Sequence, residues 1–555
     1  MSLRRIHFPK GLCFLMLLGV FAWWVRYHPL FSDLLVFDDD ARQHVYWTAK
    51  FQDPELFRED LLTEFISSPM MDPPGYQFIY RLGTVFLNPL RLSQLISLLL
   101  LLFSLWFLEL WSKSLIPDSR GRFFLQTLFL FFSLYDSSGG FPRSFAFPLL
   151  LGFMALLQRG AALWGGLVLV LEALLYPPIL LNTLAMAGLW VLGEFKRAGW
   201  SRQSLSGAIS LAVGCAVAML LLLWVYVYSD MRLFGPQVSL QEAKSMPEFW
   251  KGGRSAFFRE NTLEFLLLGR SGIGAEYLGG FALILAGMAF LGGIKAIRIP
   301  ASAVHLCWTS LLLFGLAHLL LFKLHLPSRY TIYTLPLAFM LAIGASTGPF
   351  LLATKGIWIR VKAGEFLGRF QSRKPALLLL ALILVAYAWA QGHVIVKMDT
   401  QVAVLDRSQR QMLSFLQELP KDTLVAAHPL DADNVPLVSR RKVLANQELS
   451  LPYQMGYYKK IRQRILDFFE AYYAKDWGKI EEFVSKYRIG ALVVNKEHFT
   501  PSFLQGSIYF EPFNSFAKKK LEEAEEFALL APPKEKLCFE NSQFLVLCWE
   551  EWERK

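Results

Sequence analysis

The chain has 555 residues, of which 54% are hydrophobic, 15% aromatic and only 18% charged. Water-soluble domains carry roughly 25% charged residues, so this composition excludes an ordinary soluble globule and assigns most of the surface to lipid. The formal net charge of +11 does not mark a nucleic-acid binder, because the lysines and arginines punctuate apolar runs and no nucleic-acid motif is present.

Taken in chain order, Arg4, Arg5 and Lys10 precede an apolar run from Gly11 to Trp24. A cleaved signal would end in small residues. Trp23, Trp24, Arg26 and Tyr27 stand there instead, so the run is expected to remain as an anchor helix over about 11–30, with its N-terminus cytoplasmic. A polar stretch, 31–75, then stays outside and is followed by an amphipathic interfacial helix over 76–88. Further spans are expected near 90–112, 123–135 and 145–158, and in a hairpin turning at Tyr176-Pro177-Pro178. Others follow near 205–228, 277–293, 302–322, 331–353 and 375–394, about eleven in all by the length a bilayer requires. Lys113, Arg120, Arg122, Arg159, Lys196, Arg197, Lys295, Arg298, Lys355 and Arg360 then fall on one side, which the positive-inside rule makes cytoplasmic. The second long loop, 229–276, is left outside.

From about residue 396 the pattern changes. Strand-like runs (Leu424 to Ala427, Ala491 to Val494, Phe544 to Leu547) alternate with amphipathic helices, in one of which Ile480, Phe483, Val484 and Tyr487 recur at helical spacing. The expected architecture is therefore mainly α: a polytopic membrane helix bundle over 1–395 with a small extracytoplasmic α/β domain over 396–555. Cys538 and Cys548 flank a hairpin turn there, as one disulfide or as two free strand thiols.

Polar clusters at the edge of a membrane are costly, which makes them functional candidates, and four of them share the predicted outer face. Asp38-Asp39-Asp40 follows the first span; mutual repulsion raises at least one carboxyl and suits a general base or a cation, unless the run is a solvated loop or a helix cap. Asp136 to Ser144, with Arg143 as a phosphate fork, turns between the third and fourth spans. Lys323, His325, Pro327, Ser328, Arg329 and Tyr330 form a basic loop on the side where basic residues are disfavoured, which an anionic lipid phosphate would explain better than ordinary headgroup contact. Glu172, one turn from Tyr176, either faces a wet cavity or is a neutral hydrogen-bonded residue of the bundle. In the long loop 229–276, Arg254 sits among glycines and aromatics that could close over a substrate. His428, Asp431 and Asp433 tempt a metal reading, but a plain strand-to-helix turn accounts for them.

Together these features resemble the GT-C superfamily of integral-membrane glycosyltransferases, such as the protein O-mannosyltransferases and the lipid A aminoarabinose transferases. The residues that carry the resemblance are Asp39-Asp40 with Arg42 after the first span, and Pro327-Ser328-Arg329-Tyr330 on a late external loop. The resemblance implies a polyprenyl-phosphate sugar donor and a lipid, glycan or protein acceptor. The expected location, among the lipids of the cell inner (plasma) membrane, rests instead on the absence of an ER retention signal. The resemblance also implies Asp39 as the base, with Asp38 as rival, and Arg329 as the grip on the lipid phosphate. The polar residues of the outer face add Asp40 beside the base, and Lys323, Tyr330, Arg143, Asp136, Glu172 and Arg254 as candidates around the substrate. Transfer would invert the sugar. A WWDYG-type sequence is absent, which argues against the oligosaccharyltransferase branch and its metal; no cofactor is expected, although a divalent metal could sit on the triple carboxylate. The competing readings are a transporter or flippase of lipid-linked sugars and a non-catalytic assembly protein. Against the first, the polar residues cluster at one face and no inverted repeat is visible.

Overall fold

The computed structural model describes residues 9–32, 36–228, 234–362, 402–522 and 526–549. Among these, seven helices are long and apolar enough to cross a membrane: Lys10–Tyr27, Pro89–Leu115, Pro177–Ala198, Arg202–Val225, Ala275–Gly292, Ala301–Leu319 and Pro327–Thr354. Pro142–Gln158 and Ala162–Leu175 are shorter apolar helices, and Ser119–Asp136 completes the series with Arg120 and Arg122 in its first turn. The protein is thus a multi-pass membrane protein, with helices where the hydropathy runs place them; the span expected at 375–394 lies outside the described residues.

Local chemistry fixes the ends. Pro177 and Pro178 have no N–H to continue the preceding helix, and the residue before a proline is driven out of helical conformation: Tyr176 sits at φ −152°, ψ 79°, and the chain reverses there. Gly199 closes the returning helix at φ 59°, where a side chain would be strained. Phe290 and Trp308 lie 88% and 70% exposed on their helices; lipid is the solvent that tolerates such faces.

The described chain divides into two compact units. The first holds residues 1–28, 94–223 and 261–401, and with them the helix bundle. The second holds residues 29–93, 224–260 and 402–555. The second unit therefore takes in both long loops as well as the C-terminal segment, which a division at residue 396 does not anticipate. Backbone hydrogen bonding is the reason. Strand β1 (Val36–Asp38) pairs antiparallel with β2 (Val402–Val404), Asp38 opposite Val402. Val238 N–H donates to the Tyr453 carbonyl at 2.7 Å and Met455 N–H to that of Pro236 at 2.9 Å. Gly235, at φ 77°, lets this contact close, since a Cβ there would stand 2.4 Å from the Gly456 nitrogen.

The core of the second unit is a five-stranded sheet of order β4-β3-β5-β7-β6, from β3 (Leu424–Ala426), β4 (Lys442–Val443), β5 (Ala491–Asn495), β6 (Leu537–Glu540) and β7 (Phe544–Cys548). β3 runs parallel to β4 and β5, and β7 runs antiparallel to β5 and β6. Both β5 and β7 are buried along their whole length, so they read as continuous apolar runs. Helix Trp477–Tyr487 buries Ile480, Phe483 and Val484 as its spacing dictates. Cys538 and Cys548 are disulfide-bonded across the β6–β7 hairpin, their Cα atoms 6.0 Å apart. Helix Pro74–Gly83 buries Tyr76 and Tyr80 on one face and leaves Phe78 and Leu82 exposed on the other, an amphipathic helix that begins two residues before the expected 76–88 and ends five before it.

Candidate functional site

In the second unit, β1 delivers the acidic run and ends it at once. Asp38, its last residue, is buried, whereas Asp39 and Asp40 are half-exposed. Asp40 occupies the N-cap position of the short helix Ala41–His44, yet makes no capping hydrogen bond through its side chain. One oxygen from each of Asp39, Asp40 and Glu448 lies within 4.8 Å of the others. The Arg42 guanidinium pairs with Asp39 and reaches Asp433 at 3.8 Å. Arg254 Nη2 meets the Glu448 carboxylate at 3.3 Å, and its Nε donates to the Gln447 carbonyl at 2.8 Å. Asp433, buried beneath, accepts from Glu448 N–H at 2.9 Å. Burial, then the neighbouring charge of Glu448, pushes its carboxyl up to about 7, against the pull of Arg42. Four carboxylates thus share this neighbourhood with two guanidinium groups, an arrangement with an excess of negative charge.

A second layer holds the strand-to-helix turn in place. His44 Nδ1 stands 2.6 Å from Asp72 Oδ1, and Trp47 Nε1 donates to Asp72 Oδ2 at 2.7 Å. Asp72 is fully buried, and burial raises its pKa although both partners oppose the shift.

In the first unit, the basic loop becomes a turn of 3-10 helix, Pro327–Tyr330. Ser328 N–H reaches the Arg270 carbonyl at 3.4 Å, which ties the turn to the loop before the span Ala275–Gly292. His325 keeps an exposed edge, yet desolvation followed by the charges of Arg329 and Arg270 holds its imidazole down at about 3. The two arginines therefore act on one spot, with the exposed Lys323 two residues from His325. Tyr330, expected at the substrate, is buried instead, its hydroxyl donating to the Leu324 carbonyl at 2.7 Å while its own carbonyl accepts from Asn182 Nδ2 at 3.3 Å. Glu172 is fully buried, and its Oε1 accepts from Thr183 Oγ1 at 2.8 Å.

The glycine turn of the same unit is built by sterics. Gly139 has φ 75°, a Cβ there would fall 2.0 Å from the Phe141 ring, and its N–H donates to the Tyr27 hydroxyl at 3.0 Å. Arg143 lies over the Phe141 ring, 5.4 Å from its centroid. The Asp136 side chain lies outside the described residues. His428 and Asp431 form the strand-to-helix turn expected of them: His428 Nδ1 caps helix Pro429–Ala432 by accepting from Leu430 N–H at 3.3 Å.

Glu448 and Arg270 are not singled out by sequence, and Asp433 is read there only as part of a strand-to-helix turn. For Arg270 a signal existed, since it too is a basic residue on the predicted outer side. For Glu448 none did.

No protein-family model matches the sequence, and no curated protein matches it significantly. Among solved structures, the Archaeoglobus fulgidus oligosaccharyltransferase in complex with zinc and sulfate shares the fold at a TM-score of 0.50, with 12% identity, over 92% of this chain and 71% of its own. The apo form of that enzyme gives a TM-score of 0.48 at 12% identity, over 92% and 72%. Its complex with an inhibitory peptide and a dolichol-phosphate gives 0.46 at 12% identity, over 92% and 72%. The chain thus shares the overall fold of that oligosaccharyltransferase.

Proposed function

We propose that the chain is a membrane glycosyltransferase that moves a sugar from a polyprenyl-phosphate donor to an acceptor hydroxyl on the extracytoplasmic side, with inversion. The observation that carries this reading is the meeting of Asp39, Asp40 and Glu448, with Arg42 and Arg254 holding two of the three. Asp39 is the base: its carboxylate takes the acceptor proton as the acceptor oxygen attacks the anomeric carbon from the face opposite the phosphate. The bond from that carbon to the phosphate oxygen breaks, and the leaving lipid phosphate carries away the electron pair. Arg329, Arg270 and Lys323 offset its charge and so replace a general acid. Arg42 orients Asp39, and Arg254 orients Glu448.

The donor set also suits a hard divalent cation, because all three ligands are carboxylate oxygens. When bound, such an ion would be held by Asp39, Asp40 and Glu448 and would supply further neutralisation of phosphate charge. The oligosaccharyltransferase of like fold was solved with zinc and sulfate. The N-terminus is cytoplasmic in this reading, and the C-terminal segment lies outside the inner membrane.

The test is transfer of a radiolabelled sugar from a synthetic polyprenyl-phosphate donor by the full chain in proteoliposomes. Product of inverted anomeric configuration supports the reading. Flux of donor across sealed vesicles without covalent transfer would replace it with transport.

A further inference from the structure

A cavity of about 470 Å³ opens in the helix bundle near Leu115, Ile116, Asp118, Arg298, Ile299 and Leu352. This volume falls in the roughly 300–1,000 Å³ range of small-molecule sites. Helix Ser119–Asp136 has 18 residues, so its Asp118 end lies about 27 Å from the glycine turn that follows Asp136, close to the thickness of a bilayer core. The cavity therefore lies at the end of the bundle that charge asymmetry makes cytoplasmic, at the opposite end of helix Thr334–Lys362 from the Pro327–Tyr330 turn.

Its walls are fixed by specific bonds. Arg122 Nη1 donates to the Ile116 and Pro117 carbonyls at 2.9 and 3.0 Å, while its Nε lies 3.3 Å from the buried Glu109 carboxylate. Ser346 Oγ accepts from Arg298 N–H at 2.8 Å and donates back to the Arg298 carbonyl at 3.3 Å. A Cβ on Gly348 would stand 2.6 Å from Asp118 Oδ2, so the glycine is what lets that wall close. The site is formed before any ligand arrives, which lowers the entropic cost of binding.

Three features define the occupant. Arg298 brings a guanidinium, a fork suited to phosphate. Pro349 lies inside helix Thr334–Lys362 and has no N–H to offer the Ala345 carbonyl one turn before it, so an acceptor is available at the wall. Ile299 and Leu352 stand 60% and 69% exposed at the rim, where they offer an apolar approach to acyl chains from the bilayer. We propose that this cavity binds one glycerophospholipid of the inner leaflet, its phosphate on Arg298 and the hydroxyls of its head group donating to the Ala345 carbonyl. Phosphatidylglycerol carries all of these groups. The proposal does not depend on the glycosyltransferase reading.

Native mass spectrometry of the full chain, released from detergent after incubation with phosphatidylglycerol, tests it. The wild type is expected to retain one lipid, and Arg298→Gln to bind it about fivefold more weakly, in line with roughly 1 kcal/mol per basic residue near a lipid phosphate. Arg197→Gln, on an exposed residue paired with Glu194, is expected to bind like the wild type and controls for general charge. Equal occupancy in wild type and Arg298→Gln, or equal loss in both variants, would overturn the proposal. So would full displacement of the lipid by glycerol 3-phosphate, which would mark a site for a water-soluble phosphate.

Discussion

Arg42 and Asp433 approach to 3.8 Å, so one guanidinium that already pairs with Asp39 also touches a buried carboxylate of the C-terminal segment. The acid after the first span is thereby held by a residue almost four hundred positions away. Arg42→Ala is expected to leave Asp39 mobile and Asp433 with one cation fewer. The proposed role of Arg42 is to position Asp39, so kcat should fall by about 10²-fold, as expected when a positioning group is lost, with KM for the donor little changed. Steady-state kinetics on both constants checks this; a rise in KM alone would place Arg42 on the substrate.

The buried titratable groups of the second unit oppose one another with pH. Burial raises Asp431 and Asp433 to about 7. The folded state therefore holds their protons between about pH 4 and 7 where the unfolded chain has lost them, and this stabilisation is lost as pH rises through 7. His498 is pushed down to about 3 and His428 is lowered as well, both first by burial. Below about pH 6.5 the unfolded chain takes up their protons and the folded state does not, so acid destabilises through them. Asp431→Asn removes one stabilising share, so its stability relative to the wild type should fall as pH drops from 6.5 to 4, by on the order of 1 kcal/mol per pH unit. Thermal unfolding of both full chains in detergent across that range measures it; a difference between them that does not change with pH would show that Asp431 does not titrate as described.

Arg270 and Arg329 both act on His325. If both grip the donor phosphate, Arg270→Gln should weaken donor binding by about tenfold, the loss of one charge-assisted hydrogen bond, and should do so more strongly at low salt. Donor titrations at two ionic strengths decide it. Binding unaffected at both would confine Arg270 to holding the Pro327–Tyr330 turn through its carbonyl.

Glu172 accepts from Thr183 inside the bundle. Glu172→Gln preserves that bond through its amide oxygen, and transfer activity is expected to stay within about threefold of wild type, below 1 kcal/mol. A loss of about 10²-fold, measured in the same transfer assay, would bring the carboxylate into the chemistry.

Much of this arrangement can be read from the chain alone because it depends on local regularities. Apolar runs fix the spans, paired prolines fix the hairpin at Tyr176, and β5 and β7 are legible because both faces of each strand are buried. The site is less so. Arg254 meets Glu448 across 194 residues, and no periodicity or motif encodes that encounter. It follows from the pairing of the long loops with the C-terminal segment. Tyr330 shows the same limit: its neighbours Arg329 and Lys323 suggest a ligand, while its hydroxyl donates to the Leu324 carbonyl within the turn. Sequence marks where polar groups gather at the membrane edge, and only packing decides which of them turn inward.

The central claim is that the carboxylates around Asp39 and the cations around Arg329 serve one reaction. Single-turnover sugar transfer by Asp39→Asn, Arg329→Gln and the double variant tests it most directly. Residues that act as a unit are strongly non-additive, so each single variant should lose about 10²–10⁴-fold and the double variant little more than the worse of the two. Losses that simply multiply, or near-normal turnover in Asp39→Asn, would contradict the account.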